Sequence, residues 1–307
     1  MSKIAFIFPG QGAQACGMGK DFYEQTETGK RIFDKATELM GFSMPQLCFE
    51  ENDRLDITEY TQAAMVTASI AMMRVLEENG IKPDVAAGLS LGEYCALAAA
   101  GVMSDEDAIR TVRQRGILMQ EAVPVGEGAM AAILALDASA IEEVTGAMEG
   151  VWIANYNCPG QIVISGEKAA VEDACEKLKA AGAKRAVMLN VSGPFHSGML
   201  ADAGEKLGEV LSQVELHEPQ IPYVANVTAQ YVKNAAEVKE LLTRQVSSSV
   251  RWQQSVEAMI ADGVDTFIEI GPGKTLAGFM RKISRDVKTL NVEKLEDISK
   301  VAEALKS

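Results

Sequence analysis

The chain has 307 residues, 48% hydrophobic and 23% charged, ordinary globular usage that excludes a disordered polymer, and at ~150 residues per domain its length suggests about two domains. Its 29 Lys and Arg stand against 43 Asp and Glu, a net charge of −14, so the field of the whole molecule repels phosphate backbones and anionic surfaces and disfavours nucleic-acid or membrane partners. The five cysteines form no CxxC pair, which argues against disulfides or structural zinc and for a reducing, cytoplasmic setting; no apolar run of about 18 residues spans a bilayer, and Ile4 to Phe8 is too short for an export signal.

Apolar Lys3 to Phe8 reads as a buried strand stopped by Pro9-Gly10-Gln11-Gly12, and a glycine-rich loop after a strand marks a ligand edge. Asp56 with Glu59 reads as a capping pair opening a helix through Asn79, closed by Gly80 and Pro83. Val85 to Ala87 is the next strand. It runs into Gly88-Leu89-Ser90-Leu91-Gly92, and helix continues from Glu93 to Ala100. Ser104 with Asp107 then caps a helix to about Ala122.

Between Pro124 and Pro194 the pattern changes to strand 129–136, helix 138–148, strands 151–155 and 161–165, helix 167–181 and strand 185–190. That βαββαβ order is the ferredoxin-like arrangement. Afterwards α/β alternation resumes, with a helix from about Ser197, strand 221–225, helices near 235–245 and 252–261, strand 265–270, helix 275–282, and a last strand and helix. The expected fold is therefore α/β: a large α/β-hydrolase-like domain with a parallel sheet, residues 1–124 and 195–307, interrupted by a small ferredoxin-like domain, residues 125–194.

A GxSxG string alone is weak, but a serine on a sharp strand-to-helix turn is exposed at a sheet edge, and the helix start offers N–H groups to a developing oxyanion. The plain alternative is a glycine-rich turn with a capping serine. A serine nucleophile needs a base, and the chain has two histidines. His217, beside Glu218-Pro219, reads as an exposed loop residue. His196 follows Gly193-Pro194-Phe195 where the chain re-enters the large domain, so it can return to the face carrying Ser90; the alternative is a helix-start residue without a partner. No Asp or Glu completing a triad is identifiable, and a backbone carbonyl could hold the imidazole tautomer instead.

At 100° per residue, Arg115 falls among Ala108, Val112, Met119 and Ala122 on the apolar stripe of helix 105–122, while Arg110 and Arg113 point to the polar side. An arginine buried there needs a partner, and its fork matches a carboxylate. A structural ion pair or a snorkelling side chain is the alternative. The 15 methionines read in general as core filling.

Together these features resemble the malonyl-CoA:acyl carrier protein transacylases over essentially the whole chain. The motifs are Phe8-Pro9-Gly10-Gln11-Gly12 with Gln14, Gly88-Leu89-Ser90-Leu91-Gly92-Glu93, Arg115-Gly116, Gly193-Pro194-Phe195-His196-Ser197, Gln245 before Val250-Arg251-Trp252, and Gly271-Pro272-Gly273-Lys274. The resemblance implies that Ser90 takes the acyl group, that His196 is general base and acid, and that the N–H groups of Gln11 and Leu91 form the oxyanion hole. It also implies that Arg115 grips the malonyl carboxylate, that the region of Gln245 holds His196 in place through a main-chain carbonyl, and that Phe195, Gln245 and Met119 belong to the substrate-binding site, Phe195 leaving little space for an α-methyl branch. Leu89 stands where many members have His, which removes a polar contact but no assigned catalytic role.

The reaction so implied is malonyl transfer through a malonyl-serine, with malonyl-CoA and acyl carrier protein as partners, no metal or redox cofactor, and a monomer as the expected state. Both partners are anionic, so local basic patches at Lys184 and Arg185, and at Lys274, Arg281, Lys282, Arg285 and Lys288, are the expected docking surfaces; solvated helix faces are the alternative. A serine esterase would place an acidic residue and then His late in the chain and would gain nothing from a buried Arg115. A docking module without chemistry would require none of Ser90, His196 and Arg115. A transferase serving a polyketide pathway would look the same in sequence.

Overall fold

The computed structural model describes residues 2–191 and 193–306. The chain opens with β1 (Ile4–Phe8), leaves the sheet for α1 (Lys20–Gln25), α2 (Glu27–Met40), α3 (Met44–Phe49) and α4 (Thr58–Glu78), and returns as β2 (Val85–Gly88), followed by α5 (Gly92–Ala99) and α6 (Asp105–Glu121). Next come β3 (Gly128–Leu134), α7 (Ala138–Gly146), β4 (Val151–Cys158), β5 (Gln161–Glu167), α8 (Lys168–Ala180) and β6 (Arg185–Met188). After a 3₁₀ turn at Gly198–Leu200, the remainder is α9 (Ala201–Leu211), β7 (Tyr223–Ala225), β8 (Gln230–Tyr231), α10 (Ala235–Gln245), α11 (Trp252–Ala261), β9 (Thr266–Ile270), α12 (Thr275–Ile283), β10 (Lys288–Val292) and α13 (Asp297–Ala304).

One sheet runs β10-β9-β1-β2-β7-β8, parallel except for β8 at its edge. Its central strands are apolar at nearly every position because both faces are covered: Phe6 and Phe8 pack into one core with Met65, Tyr94 and Ile109, whereas Ala5 and Ile7 pack into another with Trp252, Val256 and Met280. The other sheet is antiparallel, in the order β4-β5-β3-β6, with its own core of Ile133, Ile141, Ile164, Val171 and Leu178. The two sheets are joined where Tyr156 N–H donates to the Val250 carbonyl at 2.9 Å and Val250 N–H to the Ala154 carbonyl at 2.8 Å. Among the described residues no helix is long and apolar enough to cross a membrane.

Three local expectations need correction. The residue capping α4 is Ile57, without a side-chain cap, because Asp56 instead accepts from Gln14 Nε2 at 3.0 Å; a tertiary contact has taken the carboxylate. α9 starts at Ala201 and not near Ser197, since a 3₁₀ turn intervenes. Finally, α1 to α3 occupy a stretch in which no elements were expected; α1 and α3 are six residues each, too short to show a period. The Ser104 cap is present, its Oγ accepting from Asp107 N–H at 3.0 Å.

Candidate active site

β1 and β2 pair with Phe8 opposite Gly88, and β9 lies on the other side of β1. Their carboxyl ends thus open at one level, the usual ligand edge of a parallel sheet. The loops after β1 and β2 and the start of α12 form the floor of a cleft of about 760 Å³, and Met130, Asn155, Val163 and Leu189 of the segment carrying the second sheet form its other wall.

Ser90 sits in the turn between β2 and α5 at φ 53°, a left-handed conformation that costs a non-glycine residue energy and persists only when its surroundings enforce it. Glycine is required on both sides: a Cβ on Gly88 would lie 2.0 Å from the Gly92 carbonyl, and one on Gly92 would lie 2.2 Å from the Phe8 oxygen. Both peptide groups of Ser90 are held by side chains. Its N–H donates to Asn226 Oδ1 at 2.6 Å, and its carbonyl accepts from Gln245 Nε2 at 2.9 Å.

His196, also left-handed at φ 60°, places Nε2 2.7 Å from Ser90 Oγ and Nδ1 2.8 Å from the Gln245 carbonyl. A carbonyl only accepts, so Nδ1 carries the proton and Nε2 presents a lone pair to the serine hydroxyl. Burial, and then the neighbouring Arg115 charge, push the imidazole down to about 4, which keeps it neutral near pH 7. The geometry suits a nucleophile, a base and an orienting acceptor, without an acidic third member.

Arg115 is 1% exposed. Its Nη1 donates to Gln62 Oε1 at 2.9 Å, and its Nη2 to Ser90 Oγ and Gln245 Oε1, each at 3.0 Å; Nε has no partner among the described residues. Burial draws its pKa below the ordinary arginine value. All three acceptors are neutral, so a buried cation stands beside the nucleophile without a carboxylate in hydrogen-bond contact. An anion delivered to Ser90 would supply what the guanidinium lacks.

Gln11, Met119 and Phe195 also line the cleft. Gln11 Nε2 donates to Thr58 Oγ1 at 3.1 Å, while Leu91 and Gln245 are buried behind the nucleophile. The backbone N–H groups of Gln11 and Leu91 have no acceptor among the described residues. His217 is exposed and does not border the cleft. Arg110 and Arg113 pair with Asp107 and Glu59, at 3.3 and 2.5 Å. Lys274 is exposed next to Thr275 on the cleft wall. Lys184 and Arg185 are exposed but not in the cleft: Lys184 precedes and Arg185 starts edge strand β6, with Arg185 four residues, or ~13 Å of extended chain, before the cleft residue Leu189.

Sequence reasoning missed Gln62 and Asn226 and assigned no role to Glu93. Gln62 is a fully buried polar residue within the Ala- and Met-rich α4, a signal that was available. Asn226 follows β7 with nothing in its local sequence to single it out. Among the described residues no group of His, Cys, Asp and Glu is arranged to hold a metal ion.

The acyl transferase domain family matches residues 5–300. The malonyl CoA-acyl carrier protein transacylase of Bacillus subtilis (strain 168) is 50% identical over 311 residues, covering 100% of this chain and 98% of the relative. An acyl carrier protein S-malonyltransferase from Vibrio cholerae superposes with a TM-score of 0.95 at 42% identity, covering 98% of this chain and 100% of that one. A malonyl-transacylase solved in complex with its type II PKS acyl-carrier protein superposes with a TM-score of 0.95 at 40% identity, covering 99% and 100%.

Proposed function

The chain belongs to the acyl transferase family, and from that premise we propose that it transfers malonyl from malonyl-CoA to the phosphopantetheine thiol of acyl carrier protein, supplying fatty-acid elongation. The observation that carries the reading is the Arg115 fork 3.0 Å from Ser90 Oγ: a serine nucleophile beside a buried, anion-free cation suits an acyl group that bears its own carboxylate. The relatives' names agree with it. A polyketide carrier protein as acceptor is the second reading, favoured by the relative solved with one.

In the first half-reaction His196 Nε2 takes the Ser90 proton as Oγ attacks the thioester carbonyl. The oxyanion forms against the free N–H groups of Gln11 and Leu91. Collapse breaks the C–S bond, and His196 returns the proton to the departing coenzyme A sulfur. In the second half the carrier thiol gives its proton to His196 and attacks the malonyl ester; Ser90 Oγ leaves and regains a proton from His196. Phe195 narrows the pocket against an α-branch, Met119 lines it, and no cofactor beyond the substrates enters the scheme.

The strand order of the antiparallel sheet supports a ferredoxin-like reading of residues 125–194, and the parallel sheet an α/β-hydrolase-like reading of residues 1–124 with 195–307. Lys184, Arg185 and Lys274 are the proposed surface for the acidic carrier protein and coenzyme A. A cytoplasmic monomer completes the picture. The test is intact mass after brief exposure to malonyl-CoA without carrier protein, followed by peptide mapping. A malonyl adduct on Ser90, absent from Ser90→Ala, is expected; an adduct elsewhere, or none in the wild type, overturns the covalent mechanism.

A further inference from the structure

Glu93, in the first turn of α5, is 1% exposed, and neither the proton transfers nor the carboxylate clamp uses it. Its Oε2 accepts two hydrogen bonds, from Gln245 Nε2 at 2.7 Å and from Asn226 N–H at 3.2 Å. The same two residues hold the N–H and the carbonyl of Ser90, and Asn226 Nδ2 also donates to the Gly88 carbonyl at 2.7 Å. Gln245 further carries the carbonyl that holds His196 and the Oε1 that receives Arg115. Nucleophile, base and clamp therefore all lead back, through two residues, to one carboxylate.

An amide's two ends have nearly the same shape, so only its neighbours decide which way it faces. Arg115 offers only donors and Glu93 an acceptor. With Nε2 drawn to Glu93, Oε1 of Gln245 is turned onto Arg115 Nη2; reversed, two donors would meet at Arg115 while the carboxylate kept only the Asn226 N–H. We propose that Glu93 is a positioning residue for malonyl transfer: as the common acceptor for Gln245 and Asn226 it sets the direction of the Arg115 fork and holds the left-handed backbone of Ser90. The inference rests on the transfer reading above and adds to it a residue to which no role had been assigned. Burial pushes the Glu93 carboxyl up to about 7, with Arg115 the charged side chain that counteracts it and Tyr94 and Tyr223 its neutral neighbours. What positioning requires is an acceptor oxygen, which both protonation states retain.

The test compares Glu93→Gln, Glu93→Asp and Glu93→Leu with the wild type, measuring kcat and KM with malonyl-CoA and acetyl-CoA at fixed carrier protein, per Ser90 that can be labelled. Gln keeps an acceptor oxygen in place, Asp withdraws it by one methylene while keeping the charge, and Leu removes it. Loss of a buried charge-assisted hydrogen bond should raise the malonyl KM of Glu93→Leu roughly tenfold to a hundredfold, with a smaller rise for acetyl and a lower kcat for both. Glu93→Asp should lie between, and Glu93→Gln should recover most of the loss. A merely structural role would instead lower the labelled fraction and leave both KM values alone. The inference is overturned if Gln is as impaired as Asp, or if the malonyl-to-acetyl KM ratio is the same in all forms; should Leu fail to fold, the Gln and Asp pair decides. Absence of a malonyl adduct in the wild type would sink the transfer reading itself, whereas a labelled wild type with the wrong order of variants sinks only this inference.

Discussion

At the scale of single residues, the proposed chemistry depends on the Ser90 hydroxyl beside an imidazole and a guanidinium whose ordinary properties have been altered by burial. His196 is pushed from 6.5 down to about 4, and the sign of the consequence follows. Above pH 4 the folded imidazole stays neutral and able to take the Ser90 proton. The unfolded chain binds a proton at 6.5 and the folded one only at about 4, so stability present above 6.5 is lost as pH falls through that window, amounting to about 3 kcal/mol at ~1.4 kcal/mol per pH unit. We expect labelling of Ser90 by a neutral sulfonyl fluoride, which has no titrating group of its own, to persist through pH 5 and to halve near pH 4. Halving at pH 6 to 6.5 would mean that the base is not the buried imidazole described here.

Arg115 is the residue proposed to carry the selectivity. Its Nη1 and Nη2 are met by Gln62, Gln245 and Ser90 while Nε is not, so the resting site holds the charge on neutral acceptors, but a carboxylate on the acyl group would form the stronger, charge-assisted pair. Replacing Arg115 by Ala should lower the malonyl-to-acetyl ratio of kcat/KM by roughly two to three orders of magnitude, corresponding to ~3–4 kcal/mol. Arg115→Lys should restore part of it, since a point charge lacks the fork. Because Nη2 also touches Ser90 Oγ, some loss with acetyl is expected too, and the ratio is the decisive quantity. Equal loss for both substrates with the fold intact would make Arg115 structural. Arg110, ion-paired at the surface, is the control.

At the scale of elements, the turn from β2 into α5 is where local sequence and site coincide. Gly88 and Gly92 admit a crossing of backbones that no Cβ permits, and the turn they allow lifts Ser90 Oγ to the cleft. Gly92→Ala would set a Cβ 2.2 Å from the Phe8 oxygen, forcing β1 and α5 apart. Overpacking of this kind costs ~1–3 kcal/mol or more. We expect a lower melting temperature together with loss of Ser90 labelling out of proportion to it; near-normal labelling would show that the turn does not depend on that close approach. β1, β2 and α6 could be read from sequence, as could the βαββαβ order of residues 128–188; α2, 14 residues between its Thr26 cap and Gly41, carries as clear a pattern and was missed. The six-residue helices α1 and α3 could not be read, because a single turn or so of helix carries no periodic signal and is stabilised by what it packs against. The start of α4 misled for a related reason: Asp56 has the right identity for a cap, but Gln14 engages it.

At the scale of the whole molecule, a net charge of −14 must be reconciled with anionic substrates. Lys184 and Arg185 lie exposed at one end of β6, while residues just past its other end border the cleft, so a partner seated there could reach Ser90 with an extended arm. Reversing both to Glu should raise the KM for the carrier protein by roughly an order of magnitude at low salt, flatten its salt dependence, and leave Ser90 labelling by malonyl-CoA less affected. An unchanged KM at low salt would move the docking surface to Lys274 and the cationic residues that follow it.

The sequence by itself determined the pieces whose information is local: strands that end in glycine-rich loops, the serine turn, the apolar stripe that buries Arg115, and the choice of His196 over His217. Short-range spacing and residue identity encode these, because backbone sterics and periodic burial act over a few residues. Only the tertiary structure decided the partners. His196 meets Ser90 across 106 positions of chain, Gln245 meets Ser90 across 155 and Glu93 across 152. Which acceptor holds a ring nitrogen, which way an amide faces and which neutral groups surround a buried cation are settled by atoms brought together from distant segments. A hydrogen bond is won or lost over tenths of an ångström, and no pattern along the chain specifies distance at that precision.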